Sequence, residues 1–243
     1  MQYNRQHEGG VIMQAGIQKI INIIIFLASI LALSSVAAMD EPYARTYDNL
    51  KLVKDSNFDL AYLLPDADLG KYNKIILQEA DITFIKNWKR HRNRARRFDP
   101  ITDKDKERII SKGKDLFEQV FTEVMEKGGY SIVTEPGKDI LLVRPTIFDL
   151  DITAPDLMSP GRITTFTESA GSAKLSLELY DSISGQILFQ SLDKRRARWT
   201  DLRWAMPTNS VTNRAEAIRG LKYWAGLLRD DLDNAKDNKA ISN

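Results

Sequence analysis

The chain contains no cysteine and only two histidines among 243 residues. The absence of cysteine excludes disulfides, thiolate metal sites, cysteine nucleophiles and lipid anchoring through a cysteine. Two histidines leave little imidazole chemistry. Glycine and proline number 13 and 8, too few for a collagen-like or low-complexity protein. The composition does include 43% apolar residues, enough to bury a core, and a nearly balanced net charge of +2.

The N-terminal part of the sequence indicates export. An apolar run over residues 20–38 follows Lys19 and ends in small residues up to Ala38. This order is typical of a signal peptide that is cleaved after Ala38. Residues 1–38 are therefore predicted to be a signal peptide, and the protein is predicted to be periplasmic.

Two alternatives to that leader stay open. The polar residues 1–12 fit a signal peptide poorly, and a chain that starts at Met13 would begin with a better one. The apolar run at 20–38 is also near the length that spans a bilayer, so an uncleaved inner-membrane anchor is the alternative to cleavage. If the leader is cleaved, the chain meets the membrane only transiently through it.

The remainder of the chain divides into three predicted segments. Residues 39–57 form a polar leader, residues 58–235 form a single domain, and residues 236–243 form a frayed tail. No linker and no internal repeat divides the central segment. Composition therefore predicts one folded domain.

Two amphipathic helices are predicted in that domain. Apolar residues at three- and four-residue spacing indicate a helix over 103–127, capped at Thr102 or Asp103. The same spacing indicates a second helix over about 213–234, which opens with a capping box at Asn213.

Alternating apolar residues predict the strands between and before the helices. A hairpin is the clearest, and Pro145 and Pro155 predict an edge or a bulge on either side of the strand between them. The predicted fold class is α+β, with a single antiparallel or mixed sheet of about five strands and the two helices packed on one face. The predicted strands lie at 73–86, 130–134, 140–143, 146–152, 173–180 and 186–191.

Two basic segments are the sharpest local features. Seven of the twelve residues at 86–97 are lysine or arginine, and residues 194–204 again mix arginine with tryptophan. Such segments bind phosphates, and export favours an anionic envelope component over nucleic acid. A lipid headgroup, a lipopolysaccharide phosphate and an acidic envelope protein all fit. The predicted anion-binding residues are Lys89, Arg90, Arg92, Arg94, Arg96, Arg97, Arg195, Arg196 and Arg198.

The basic segments also have a purely structural interpretation. Exposed runs of like charge are common on protein surfaces, and ion pairs there contribute little to stability. In this interpretation the segment at 86–97 is a solvated loop, partly paired with Asp99, Asp103, Asp105 and Asp193.

Two aspartates are the only candidates for metal chemistry. Asp149 and Asp151 are two residues apart on a predicted strand, so both side chains point to one side. With Asp156 or Glu168 they could bind Ca²⁺ or Mg²⁺, which prefer oxygen ligands. Two carboxylates on the solvent face of a strand have the same spacing without a metal. Paired carboxylates are also found in glycoside hydrolases.

Other catalytic signals are weak. The basic segment surrounds His91 with cations, which is a poor setting for a general base, and no nucleophile elbow or phosphate-cradling glycine motif is present. The residues predict neither a cofactor nor a catalytic site.

Several segments, in this order, point to one bacterial family: 68–74, 171–175, 180–185, 224–225, 228–229 and 232–233. Together they resemble the domain of unknown function 3313 family, whose members are described as envelope lipoproteins. The resemblance covers about residues 45–235 and implies an exported single-domain α+β protein without established catalytic residues. No cysteine follows the apolar run in this chain, so a periplasmic form without a lipid anchor is expected.

The function predicted from the sequence is a non-catalytic accessory or binding protein of the periplasm, with no cofactor and no nucleic-acid partner. One alternative is a carboxylate- or metal-dependent periplasmic hydrolase. The other is a membrane-anchored scaffold for a transporter or for outer-membrane assembly.

Overall fold

The computed structural model describes residues 49–54, 56–94, 96, 99–153, 165–167, 171–197, 206–208 and 210–242. The predicted signal peptide lies outside these ranges, and so do five residues named above: Arg97, Pro155, Asp156, Glu168 and Arg198.

The described residues form three α-helices, ten strands and one short 3-10 helix. The helices are α1 (Trp88–Asn93), α2 (Asp103–Lys127) and α3 (Ser210–Ser242), and the 3-10 helix is Leu69–Lys71. The strands are β1 (Lys51–Leu52), β2 (Leu60–Leu63), β3 (Lys74–Leu77), β4 (Asp81–Phe84), β5 (Ser131–Ile132), β6 (Ile140–Ile152), β7 (Thr165–Thr167), β8 (Gly171–Asp181), β9 (Ile187–Ala197) and β10 (Met206–Thr208).

Eight of these strands form one mixed sheet. Its order is β1-β2-β9-β8-β6-β3-β5, and β4 also pairs with β6. The strands β3, β4 and β5 run parallel to their neighbours, and the other pairings in the sheet are antiparallel. The strands β7 and β10 form a separate antiparallel pair. The predicted α+β class with a mixed sheet is confirmed, although the sheet is larger than the five strands expected.

The strand count differs from the prediction at particular places. The predicted strand at 73–86 is two strands, β3 and β4, because residues 78–80 leave the ladder between them. The predicted strands at 140–143 and 146–152 are instead one continuous strand, β6. The short strands β1 and β2 lie before the first strand that the pattern predicts.

Pro145 lies inside β6 and not at its edge. The first part of β6 pairs with β3 through Val143, and its second part pairs with β4 from Thr146 onward. Proline has no N–H to donate to a ladder. It is accommodated here because it falls where β6 passes from one parallel neighbour to the next.

The two long helices follow the predicted pattern, but both boundaries of the second one differ from the prediction, since it extends to Ser242 instead of ending near residue 234. The first long helix has the predicted bounds, and Thr102 and Asp105 form a reciprocal capping box at its start. The other long helix, α3, begins at Ser210, so Asn213 lies inside it and does not cap it. No helix in the described part of the chain has the length and hydropathy needed to cross a membrane.

The core lies between one face of the sheet and the helices α2 and α3. On β8 the core side chains are alternate residues, as predicted: Leu175, Leu177 and Leu179 are all at most 1% exposed. The helices contribute aromatic side chains to the same cluster, among them Phe117, Phe121 and Trp224. The opposite face of the sheet, which we call the open face, carries the intervening residues of β6, β8 and β9. Lys194 and Arg196 are exposed there, whereas Phe148, Ser176 and Gln190 are buried.

Candidate anion-binding site

A bulge near the C-terminal end of β6 shapes the candidate site. The pairing of β6 with β8 shifts between Phe148 and Asp151, and Asp149 has a left-handed backbone with φ of 52°. Bulges re-aim side chains, and here both aspartates border a surface cleft of about 240 Å³. The cleft is lined by Ile85, Asp149, Asp151, Ser172, Ala173, Lys174 and Lys194.

The short helix α1 brings one cation to this cleft. Trp88 and Arg92 are four residues apart, so their side chains lie on one face of the helix. Trp88 is buried, stacks on Phe84 and donates from Nε1 to the carbonyl oxygen of Ile152 at 3.0 Å. This anchor places Nη2 of Arg92 against Oδ1 of Asp151, the residue before Ile152. The first basic segment therefore reaches the cleft through an arginine.

The second basic segment reaches the cleft along β9. Lys194 lies opposite Lys174 on β8, and Arg196 lies opposite Ser172. Residues that lie opposite each other in a ladder share a face of the sheet. The two basic segments are remote in the sequence, and the sheet register brings them to the same end of the open face.

The charges at the cleft do not cancel. Lys174 Nζ pairs with Asp149 Oδ2 at 2.9 Å, and Arg92 pairs with Asp151. Lys194 and Arg196 are exposed, and neither makes an ion pair with any residue that the structure describes. Counting only partners in the described ranges, the site therefore has two paired cations and two unpaired ones. Unpaired lysine and arginine side chains offer charged N–H donors to a phosphate or carboxylate group.

Other residues of the first basic segment form ion pairs with nearby aspartates. The structural interpretation predicted such pairs for part of the segment. Lys89 pairs with Asp103, and Arg96 Nη2 pairs with Asp99 Oδ2 at 2.9 Å. The remaining described arginines of the segment, Arg90 and Arg94, are exposed and make no ion pair within the described ranges.

The other two aspartates of that interpretation contact different groups. Asp105 accepts hydrogen bonds from Thr102 and pairs with Arg108. Asp193 is only 3% exposed, and its Oδ1 accepts a hydrogen bond from Nε1 of Trp224 at 2.8 Å. Asp193 therefore belongs to the core face of the sheet.

Arg195 and Arg196 lie on opposite faces of the sheet because adjacent strand residues alternate. Arg195 stacks on Tyr223 of α3, with 3.6 Å between its Cζ atom and the ring centroid. This is a cation–π contact. Of the two arginines, only Arg196 lies on the open face, where it is opposite Ser172, a residue that lines the cleft.

The two aspartates predicted to bind a metal each face a cation of the chain. Asp149 contacts Lys174, and Asp151 contacts Arg92. The described residues contain no group of three or more histidine, cysteine, aspartate or glutamate side chains placed to hold a metal ion. Metal binding at Asp149 and Asp151 stays a prediction, and the further ligands considered for it lie outside the described residues.

The sequence pattern does not single out Ser172, Lys174 or Lys194 as site residues. The pattern does show that Lys174 is on the polar side of an alternating strand. Its contact with Asp149 depends on the register of β6 against β8, which no local signal contains.

The fold and the cleft define an α+β protein that combines a mixed sheet, two long helices on one face and a charged cleft on the other. The model of the family described as "Protein of unknown function (DUF3313)" matches residues 40–228. The chain belongs to this family, which confirms the resemblance found in its sequence. No curated protein matches the chain.

Solved structures with some likeness come from several bacteria. PelC of Paraburkholderia phytofirmans, described as a dodecamer, is 9% identical, with 63% of this chain and 86% of that chain covered and a TM-score of 0.32. A Caulobacter crescentus protein described as a lipoprotein is 9% identical, with 71% and 94% covered and a TM-score of 0.34. A DUF4136 family protein of Bacteroides thetaiotaomicron is 13% identical, with 74% and 98% covered and a TM-score of 0.30. These scores are too low to support an argument about the site.

Proposed function

We propose that this protein is a non-catalytic binding protein of the cell envelope, and that its cleft binds an anionic group. The proposal rests on one observation: residues of the two basic segments lie together at one end of the open face. Arg92 comes from α1, and Lys194 and Arg196 come from β9.

The distribution of charge at the cleft supports an anion over a cation as the ligand. Both carboxylates are already matched by Arg92 and Lys174, so they have little charge left to offer a metal. Lys194 and Arg196 are exposed and unpaired among the described residues, so an anion could contact them without breaking an ion pair. Charge-assisted hydrogen bonds of this kind are stronger than neutral ones.

An envelope location is part of the same proposal. It is supported by the apolar run at 20–38, the preceding Lys19 and the small residues up to Ala38. In an exported protein, the anionic partners within reach are lipid headgroups, lipopolysaccharide phosphates and acidic proteins. The chemistry common to the first two is a phosphate group.

The proposal is tested with a variant that removes the two unpaired cations. Lys194→Gln combined with Arg196→Gln is expected to weaken the binding of inorganic phosphate about tenfold, because two charged donors are lost. Binding is measured as the saturable shift of backbone amide resonances at Ser172 and Lys174. The matched control is Lys104→Gln combined with Lys112→Gln, which removes two exposed cations from α2.

The cleft variant and the α2 control together distinguish binding at the cleft from attraction by net charge. If the α2 control weakens phosphate binding as much as the cleft variant, the attraction comes from net charge and not from the cleft. Unchanged phosphate binding in the cleft variant contradicts the proposal outright.

Neutralising the cleft carboxylates distinguishes anion binding from metal binding. Asp149→Asn combined with Asp151→Asn removes the two negative charges that pair with Lys174 and Arg92, so phosphate binding is expected to become about two- to fivefold tighter. A metal site at these aspartates would respond in the opposite sense, with loss of Mg²⁺ or Ca²⁺ binding. Titration calorimetry with phosphate, MgCl₂ and CaCl₂ measures both. Divalent-metal binding that the double variant abolishes would favour the hydrolase alternative.

A further inference from the structure

The open face carries exposed apolar side chains at the sheet edge. Leu52 of β1 is 55% exposed, and Leu60 of β2 is 42% exposed. Leu52 lies opposite Tyr62, and Leu60 lies opposite Leu192 of β9. Opposite residues share a face, so these leucines belong to the same side of the sheet as the cleft.

On β9, the apolar part of this surface is followed directly by the two cations that make no ion pair with the described residues. Along β9, Leu192, Lys194 and Arg196 are alternate residues, so their side chains point to one face. At about 3.3 Å per residue, Arg196 lies about 13 Å from Leu192 along the strand. Leu60 is the lateral neighbour of Leu192. We call Leu52, Leu60, Leu192, Lys194 and Arg196 the apolar–cationic face.

We propose that the apolar–cationic face docks on the surface of a bilayer that contains anionic lipids. Leu52 and Leu60 enter the boundary between headgroups and acyl chains, and Lys194 and Arg196 contact lipid phosphates. Peripheral membrane proteins combine the same two contributions, apolar burial and attraction of basic residues to anionic lipid. This inference rests on the proposed function, because it identifies the anion at the cleft as a lipid headgroup.

A lipid surface fits this face better than a protein partner does. A stable protein interface buries about 800 Å² on each partner, far more than two half-exposed leucines offer. A bilayer requires no shape complementarity and presents phosphate groups beside apolar chains. Long cationic side chains reach headgroups while their stems stay against apolar surface.

The test is cosedimentation of the full chain with phosphatidylcholine vesicles, with and without phosphatidylglycerol. Leu52→Thr combined with Leu60→Thr is expected to reduce binding to the anionic vesicles about tenfold. Lys194→Gln combined with Arg196→Gln is expected to reduce it about 25-fold at low salt. Threonine retains strand propensity, and both leucines are exposed, so these variants should fold.

The controls test whether vesicle binding depends on the apolar–cationic face or on other parts of the chain. Ile183→Thr removes a 64% exposed apolar side chain in the turn after β8, and it should leave binding unchanged. Vesicles without phosphatidylglycerol report any binding through the N-terminal apolar run, which needs no anionic lipid. The same leucine variant should bind inorganic phosphate normally, because it retains the cations.

Each outcome has a defined meaning. Loss of vesicle binding in both double variants, with unchanged binding by Ile183→Thr, supports docking through this face. Unchanged vesicle binding by the leucine variant overturns the lipid inference and leaves phosphate binding at the cleft intact. Unchanged phosphate binding by the cation variant overturns the proposed function, and the inference is overturned with it.

Discussion

A Trp224→Ala variant is expected to unfold with a free energy about 3–5 kcal/mol below that of the unaltered chain. The indole is 4% exposed in the core between α3 and the sheet. Its Nε1 donates to Oδ1 of Asp193 at 2.8 Å. The substitution leaves a cavity and also removes one hydrogen-bond donor from a buried carboxylate. Urea denaturation followed by circular dichroism measures the change.

Trp224→Phe is the control for the hydrogen bond alone. It retains most of the ring volume but has no N–H group, so a smaller loss of about 1–3 kcal/mol is expected. A loss below about 1 kcal/mol for Trp224→Ala would be inconsistent with a buried indole at this position.

Asp193, which accepts the hydrogen bond of the Trp224 indole, makes the free energy of unfolding depend on pH. Burial raises the pKa of Asp193 above the ordinary carboxyl value, and the charge of Asp59 raises it further, while the Trp224 hydrogen bond opposes both. The folded state therefore holds the proton more tightly than the unfolded chain does. The contribution of Asp193 to stability falls as pH rises from the ordinary carboxyl pKa through the raised one.

Asp193→Asn isolates that contribution. An asparagine stays neutral, and its side-chain oxygen can still accept the hydrogen bond from Trp224. Relative to the unaltered chain, the variant is expected to gain free energy of unfolding above that pH window and not below it. Denaturation at several pH values measures the difference, and a difference independent of pH would contradict the assignment.

Gly171→Ala is expected to lower the free energy of unfolding by about 2–5 kcal/mol and to disrupt the cleft. A Cβ atom at Gly171 would lie 2.2 Å from the carbonyl oxygen of Asp151, and the residue has φ of +157°. Gly171 pairs with Ile152 at the end of β6. A side chain there forces β8 away from the strand that holds Asp151 against Arg92. Denaturation and phosphate titration together measure the effect.

Gly185→Ala is the matched control at the other end of the hairpin. Gly185 has φ of +68°, but open space surrounds the position of its Cβ. This variant should lose only about 1–2 kcal/mol, from the left-handed backbone, and should bind phosphate normally. If Gly171→Ala proved as stable as Gly185→Ala, with an intact cleft, the close approach of β8 to β6 would be contradicted.

Local signals in the sequence predicted whole elements of this fold. The helix α2 has the predicted bounds because its cap at Thr102 and its apolar spacing are encoded within the helix itself. The β8–β9 hairpin was predicted because alternation and a turn at 181–185 suffice to define it. The start of α3 was misjudged, since the capping-box spacing at Asn213 occurs inside a helix that begins earlier.

The candidate site was predicted only in part. Asp149, Asp151 and Arg92 are each candidates from the sequence, but their contacts are not predicted by it. Arg92 meets Asp151 because Trp88 is hydrogen-bonded to Ile152 at the end of β6. The separation of Arg195 from Arg196 follows from the extension of β9 to Ala197. Alternation then assigns the two arginines to opposite faces.

The sequence by itself determined the family, the α+β class, the two long helices, the hairpin and the predicted export leader. The helices, the hairpin and the leader each depend on residues that are close together in the chain, and the family follows from the order of several such short segments. The tertiary structure alone decided the length and order of the sheet, the burial of Asp193 and the meeting of the two basic segments. These features depend on strand register and on packing between distant elements, and register is set by the pairing of whole strands and not by any local pattern.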